Sequence, residues 1–87
     1  MANYVVTYDL EKVRDYQKVY KAMDSVSAVR LLGSVWLMTS HRDAGELLDW
    51  MRGVTDSDDN IAIVKLGSDW ATYGVPTEAS DWLASHL

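Results

Sequence analysis

A carboxylate closes the first apolar run of the chain: Asn3-Tyr4-Val5-Val6-Thr7-Tyr8 is followed at once by Asp9. A short β-branched and aromatic stretch of this kind reads as a strand, so Asp9 stands at a strand's carboxyl end. An Asp in that place has two uses. It caps the turn that follows, or it holds a divalent cation. One carboxylate does not hold Mg²⁺ by itself, because the ion takes several oxygen ligands. Two copies of the chain related by a twofold axis would present two. At roughly 5 Å, two bare carboxylates repel by about 3 kcal/mol at an effective dielectric near 20. A shared Mg²⁺ offsets that repulsion and can position a water for attack on a phosphodiester. Chemistry of this type therefore requires a homodimer.

Other residues are weighed against the same standard. Arg14, Lys18 and Lys21 fall at i, i+4 and i+7 and form a basic column. Such a column contacts phosphate or is simply a solvated helix face. Asp56, Asp58 and Asn60 match positions one, three and five of a calcium loop. Ile61 then stands where that loop needs Gly, and Gly67 where it needs Glu, so a polar turn is the better reading. His41 and His86 have no metal-ligand spacing. The five glycines are scattered, which excludes a glycine-rich phosphate loop. With no cysteine there is no disulfide, no thiolate zinc site and no cysteine nucleophile.

The elements that must position these residues follow from hydrophobic period. After the first strand, Val13, Tyr16, Val19, Tyr20 and Met23 form one stripe of a helix. Residues 28–32 and 35–39 read as two strands broken only at Gly33-Ser34. A second helix is marked by Asp43 with Glu46 three residues later, a capping-box pattern, with Ser40 as a rival cap. Its stripe is Ala44, Leu47, Leu48 and Met51, and Gly53 is its stop. The turn 56–60 precedes a fourth strand over 61–66. After Pro76, Thr77 can cap a short helix over about 78–86. The order β-α-β-β-α-β predicts an α+β, ferredoxin-like fold: a four-stranded antiparallel sheet, two helices on one face, and a C-terminal extension over 67–87. A sheet this small leaves a face and two edges to be covered by the tail or by a second copy.

At 87 residues the chain is a single domain, 1–87, with one small core. Its 48% hydrophobic content is that of a folded protein. No apolar run is long enough for a transmembrane helix, and no signal-peptide pattern opens the chain. A cytoplasmic location is the simplest expectation. The net charge of −5 argues against a protein that coats nucleic acid. That charge is uneven, however: residues 1–43 are net +1 and residues 44–87 net −6. There is no Phe, but there are four Trp and five Tyr. Rings with a polar handle are enriched at interfaces and also fill cores, so a self-associating surface is one of two readings.

Taken in order, these segments resemble a known family. Tyr4-Val5-Val6-Thr7-Tyr8-Asp9-Leu10 is similar to the first strand of the small CRISPR-associated adaptation proteins, partners of the spacer integrase. Ser34-Val35-Trp36 resembles their Ser-Val-aromatic step, with Trp where Phe is usual. The helix over 43–52, the acidic turn 56–59 and the strand 61–66 follow in the same sequence. Virulence-associated protein D, a toxin-like ribonuclease, shares the architecture. Gly67-Ser68-Asp69-Trp70-Ala71-Thr72-Tyr73-Gly74 looks like the tail of a SinR-like side branch. The resemblance implies a ferredoxin-like homodimer and a metal-dependent nuclease centred on Asp9. It implies that Ser34 supports the site near the interface, and that Lys12 and Arg14 stand where the family carries arginines.

Two functions follow as expectations. In the first, a homodimer hydrolyses phosphodiesters of RNA or DNA with Mg²⁺ on Asp9. Ser34 then supports catalysis, while Lys12, Arg14, Lys18 and Lys21 position phosphate. In the second, the chain is a non-catalytic dimeric interaction module that binds a protein partner in a defence or toxin–antitoxin system. Trp36, Trp70 and Tyr73 then carry the interface.

Overall fold

Side chains alternate along the first strand: Tyr4, Val6 and Tyr8 are buried, and the residues between them are partly open. That period of two is what a strand with one face on a core requires. The computed structural model describes residues 1–10 and 16–87. In chain order its elements are β1 (Ala2–Asp9), α1 (Tyr16–Ser25), β2 (Val29–Leu32), β3 (Val35–Ser40), α2 (Ala44–Arg52), β4 (Asn60–Lys65) and α3 (Thr77–His86). The strands form one sheet in the order β2-β3-β1-β4, and every pairing is antiparallel. This is the ferredoxin-like α+β fold expected from the sequence.

The main core lies between that sheet and the first two helices. Val19 and Met23 of α1 and Leu47 and Met51 of α2 pack on Tyr4, Val6, Tyr8, Trp36 and Met38. Each helix buries one stripe at helical spacing. The α1 stripe is incomplete at its start, since Tyr16 is 36% exposed. Val13, its predicted neighbour, lies outside the described residues, as do Lys12 and Arg14.

Local signals set the helix ends. Asp43 Oδ1 accepts the Glu46 N–H at 2.8 Å, and Glu46 Oε1 accepts the Asp43 N–H at 3.2 Å, a complete capping box. Ser40 is not the cap; its hydroxyl oxygen accepts the Arg42 N–H. The helix does stop at Gly53, but at a right-handed φ of −74°, so the stop makes no use of glycine's freedom. The end of α1 had no glycine to announce it. Ala28 N–H bonds to the Met23 carbonyl and Ser27 N–H to that of Asp24, with Ser27 at φ 55°. That is a Schellman closure with serine in the left-handed position glycine usually takes. Thr77 is not a cap either. It is the first residue of α3, behind Pro76, which supplies no side-chain cap.

The third helix resolves where the tail goes. It lies on the chain's own sheet, on the face opposite α1 and α2. There Ala79 and Leu83 bury Leu37, with Val29, Leu31, Leu66 and Trp82 around them. Leu37 is 1% exposed although its neighbours Trp36 and Met38 point into the other core. The central part of β3 is therefore buried on both faces. Over β4 that second face stays open: Ala62 is exposed, and Val64 is 54% exposed.

Candidate functional site

Asp9 is the last residue of β1, a central strand, and its side chain is exposed. It sits opposite Asn60 in the register with β4. Thr7, Asp9, Asn60 and Ala62, with Tyr8 and Ile61, line an open groove of about 170 Å³. Alternation places Asp9 on the same face as Val5 and Thr7. That is the face on which α3 packs, over β2 and β3 and at the Asn3 end of β1, away from Asp9. The carboxylate is thus held by a rigid strand at an accessible sheet end.

Metal capacity follows from the donors present. Among the described residues, no group of three or more His, Cys, Asp or Glu side chains converges to hold an ion. Among the described residues, one chain brings a single carboxylate to this groove, that of Asp9. A divalent cation fits this donor set only if a second copy brings its own Asp9.

Behind Asp9, on the helix side of the same sheet end, stands an aromatic cluster. Trp36 Nε1–H donates to the Tyr8 hydroxyl oxygen at 3.1 Å. The Arg30 guanidinium lies over two rings, 4.5 Å from the Tyr20 centroid and 4.7 Å from that of Trp36. Tyr20 and Tyr16, at i and i−4 of α1, stack at 6.3 Å with 28° between planes. Burial pushes the Tyr8 phenol above its usual 10.0. The Trp36 hydrogen bond and the positive charge of Arg30 act in the opposite direction, and burial outweighs them. Tyr8 is neutral at physiological pH and locks the end of β1 to β3.

The remaining expected residues divide clearly. Ser34 lies in the β2–β3 turn, where its carbonyl accepts the Tyr8 N–H at 3.3 Å. It is therefore at the Asp9 end of the sheet, tied there through its backbone. Lys18 and Lys21 are exposed on α1. Lys18 lines a groove of about 300 Å³ with Leu10, Thr55, Asp56 and Asp59, so it faces the acidic turn. Trp36, expected at an interface, is only 7% exposed and is taken up by the chain's own core. Trp70 is 36% exposed and Tyr73 fully so. Arg30 was missed altogether. Its one signal is an arginine inside the short apolar strand 29–32, and only the β2–β3 pairing of Arg30 with Trp36 reveals its stacking.

Among the described residues no helix is long and apolar enough to cross a membrane. Comparison with known proteins gives one match: the family model of CRISPR associated protein Cas2 covers residues 1–73. No curated protein and no solved structure matches the chain. The matched stretch holds the whole four-stranded sheet, and α3 lies beyond it.

Proposed function

The chain belongs to the CRISPR associated protein Cas2 family, and from that premise we propose that it is a homodimeric, Mg²⁺-dependent nuclease acting on RNA or DNA. The observation that carries this reading is the exposed Asp9 carboxylate at the end of a central strand, on a sheet face left open beside α3. Two copies meeting through that open part would bring the Asp9 pair together. Bound between them, Mg²⁺ would supply charge neutralisation and Lewis acidity at a phosphodiester. The protein's own part is positional. β1 holds each Asp9, and the Tyr8–Trp36 hydrogen bond fixes the strand end. Hydrolysis then adds water at phosphorus, breaks one P–O ester bond and returns a proton to the leaving oxygen. The Trp-Ala tail, Gly67 to Gly74, supports placing the chain in the SinR-like branch. The exposed Trp70 and Tyr73 favour a second reading, a dimeric module that docks a protein partner through its tail.

Short RNA and DNA substrates incubated with Mg²⁺, Mn²⁺ or EDTA test the proposal. Wild type and Asp9→Asn run side by side, each sized by light scattering. Metal-dependent cleavage lost in the Asp9→Asn dimer is the expected result. Equal cleavage by both proteins, or none by a folded wild-type dimer, overturns it.

A further inference from the structure

Asp9 and Asn60 form the last residue pair between β1 and β4, and they stand directly opposite each other. Opposed residues of an antiparallel pair share one face of the sheet, with Cβ atoms about 4.5–5.5 Å apart. Both residues line the open groove of about 170 Å³ at this sheet end. Tyr8 and Ile61, the pair before them, pack on the helix side. The polar side chains on the groove's own face are therefore Thr7, Asp9 and Asn60. Thr7 stands two residues back, about 7 Å along the strand, and is paired with Ala62. Register thus gives Asn60, not Thr7, to the carboxylate as its direct neighbour.

The chemistry of the pair is complementary. A carboxylate offers charged oxygens, and an amide offers a neutral carbonyl oxygen beside its N–H donors. Hard divalent cations accept both kinds of oxygen. Asn60 also borders a neighbouring groove with Asp56 and Asp59, carboxylates that raise the local concentration of cations.

We propose that Asn60 is a second oxygen ligand of the divalent-cation site, so that a homodimer presents two carboxylates and two amide carbonyls to one ion. The inference rests on the Asp9 reading above and adds a residue to its donor set. Two Asp9 carboxylates already match the charge of Mg²⁺. A pair of neutral oxygens adds ligands without adding repulsion between the copies. Asp9 and Asn60 lie on adjacent strands of one sheet, so the backbone that carries them is fixed before an ion arrives.

The test is Mn²⁺ binding without substrate, read by electron paramagnetic resonance of the free ion. Each protein is checked for folding by circular dichroism and sized by light scattering. Asn60 is exposed, so its truncation leaves the core intact. Wild type should bind a single Mn²⁺ for each dimer, and Asp9→Asn should abolish that binding. Asn60→Ala should weaken it by roughly tenfold or more. Asn60→Asp, which keeps an oxygen and adds charge, should bind at least as tightly as wild type, and its dimer should be weaker in EDTA than in Mn²⁺. Wild-type affinity in Asn60→Ala overturns the proposal, as does Asn60→Asp binding no tighter than Asn60→Ala, or a wild type that binds no Mn²⁺. Asn60-dependent Mn²⁺ binding with no cleavage of RNA or DNA would sink the nuclease reading and leave the cation site standing. Asp9-dependent cleavage with Mn²⁺ binding indifferent to Asn60→Ala would do the reverse.

Discussion

Replacing Trp36 by Phe removes the indole N–H that the Tyr8 hydroxyl accepts at 3.1 Å. Both residues are buried, at 7% and 3% exposure, so water does not readily replace the lost donor. A buried polar group left without its partner costs about 1–3 kcal/mol. The smaller ring leaves roughly 40 Å³ unfilled, worth about 1 kcal/mol at 24 cal/mol per Å³. Arg30, 4.7 Å from the indole centroid, also loses its better ring, a contact worth about 0.5 kcal/mol. Trp36→Phe should therefore lower unfolding free energy by about 3 kcal/mol. A domain of this size has roughly 4–13 kcal/mol in total. Tyr8→Phe leaves the indole N–H unpaired instead, at about 1–2 kcal/mol. In the double variant neither polar group remains, so the two losses should not add. Urea unfolding of the four proteins, followed by circular dichroism with the m-value checked, should give a coupling of about 1–2 kcal/mol. Additivity to within about 0.5 kcal/mol would refute the claim that this hydrogen bond locks the end of β1 beside Asp9.

The same pair carries a pH signature. With the Tyr8 phenol raised above 10.0 by burial, its stabilising contribution is complete below pH 10. It is lost as pH climbs through the raised value, because the unfolded chain gives up the proton first. Stability measured across that alkaline range should fall more steeply for wild type than for Tyr8→Phe; parallel curves would contradict the assignment. Asp43→Ala should cost about 1 kcal/mol by opening the capping box of α2, read as a lower urea midpoint at constant m. Ser27→Gly should raise stability by about 0.5–1 kcal/mol, since glycine relieves a side chain held at φ 55°; a lower midpoint would mean the serine does something at this turn that its backbone does not explain.

Much of the fold is legible along the chain because its causes are local. The alternation in residues 3–8 places Tyr4, Val6 and Tyr8 on one face, and that face is the buried one. The Asp43–Glu46 spacing is itself the capping box. The order of strands and helices then leaves few ways to build a sheet, and the ferredoxin-like one formed. Asp9 at a strand end was likewise readable, since a strand's end is a property of the strand.

What the chain alone could not decide depends on contacts between distant residues. Period puts Tyr16 with Val19 and Met23, yet Tyr16 reaches solvent and Val19 does not. Composition allows Trp36 in a core or an interface; the bond to Tyr8, twenty-eight residues earlier, puts it in the core. Arg30 reads as an outward strand residue until its pairing with Trp36 places it over two rings. Leu37 gains a second core only because α3 returns to its own sheet. Local period determines which residues can share a face. Only the tertiary fold decides what that face meets, because burial is set by the area that distant elements remove from water together.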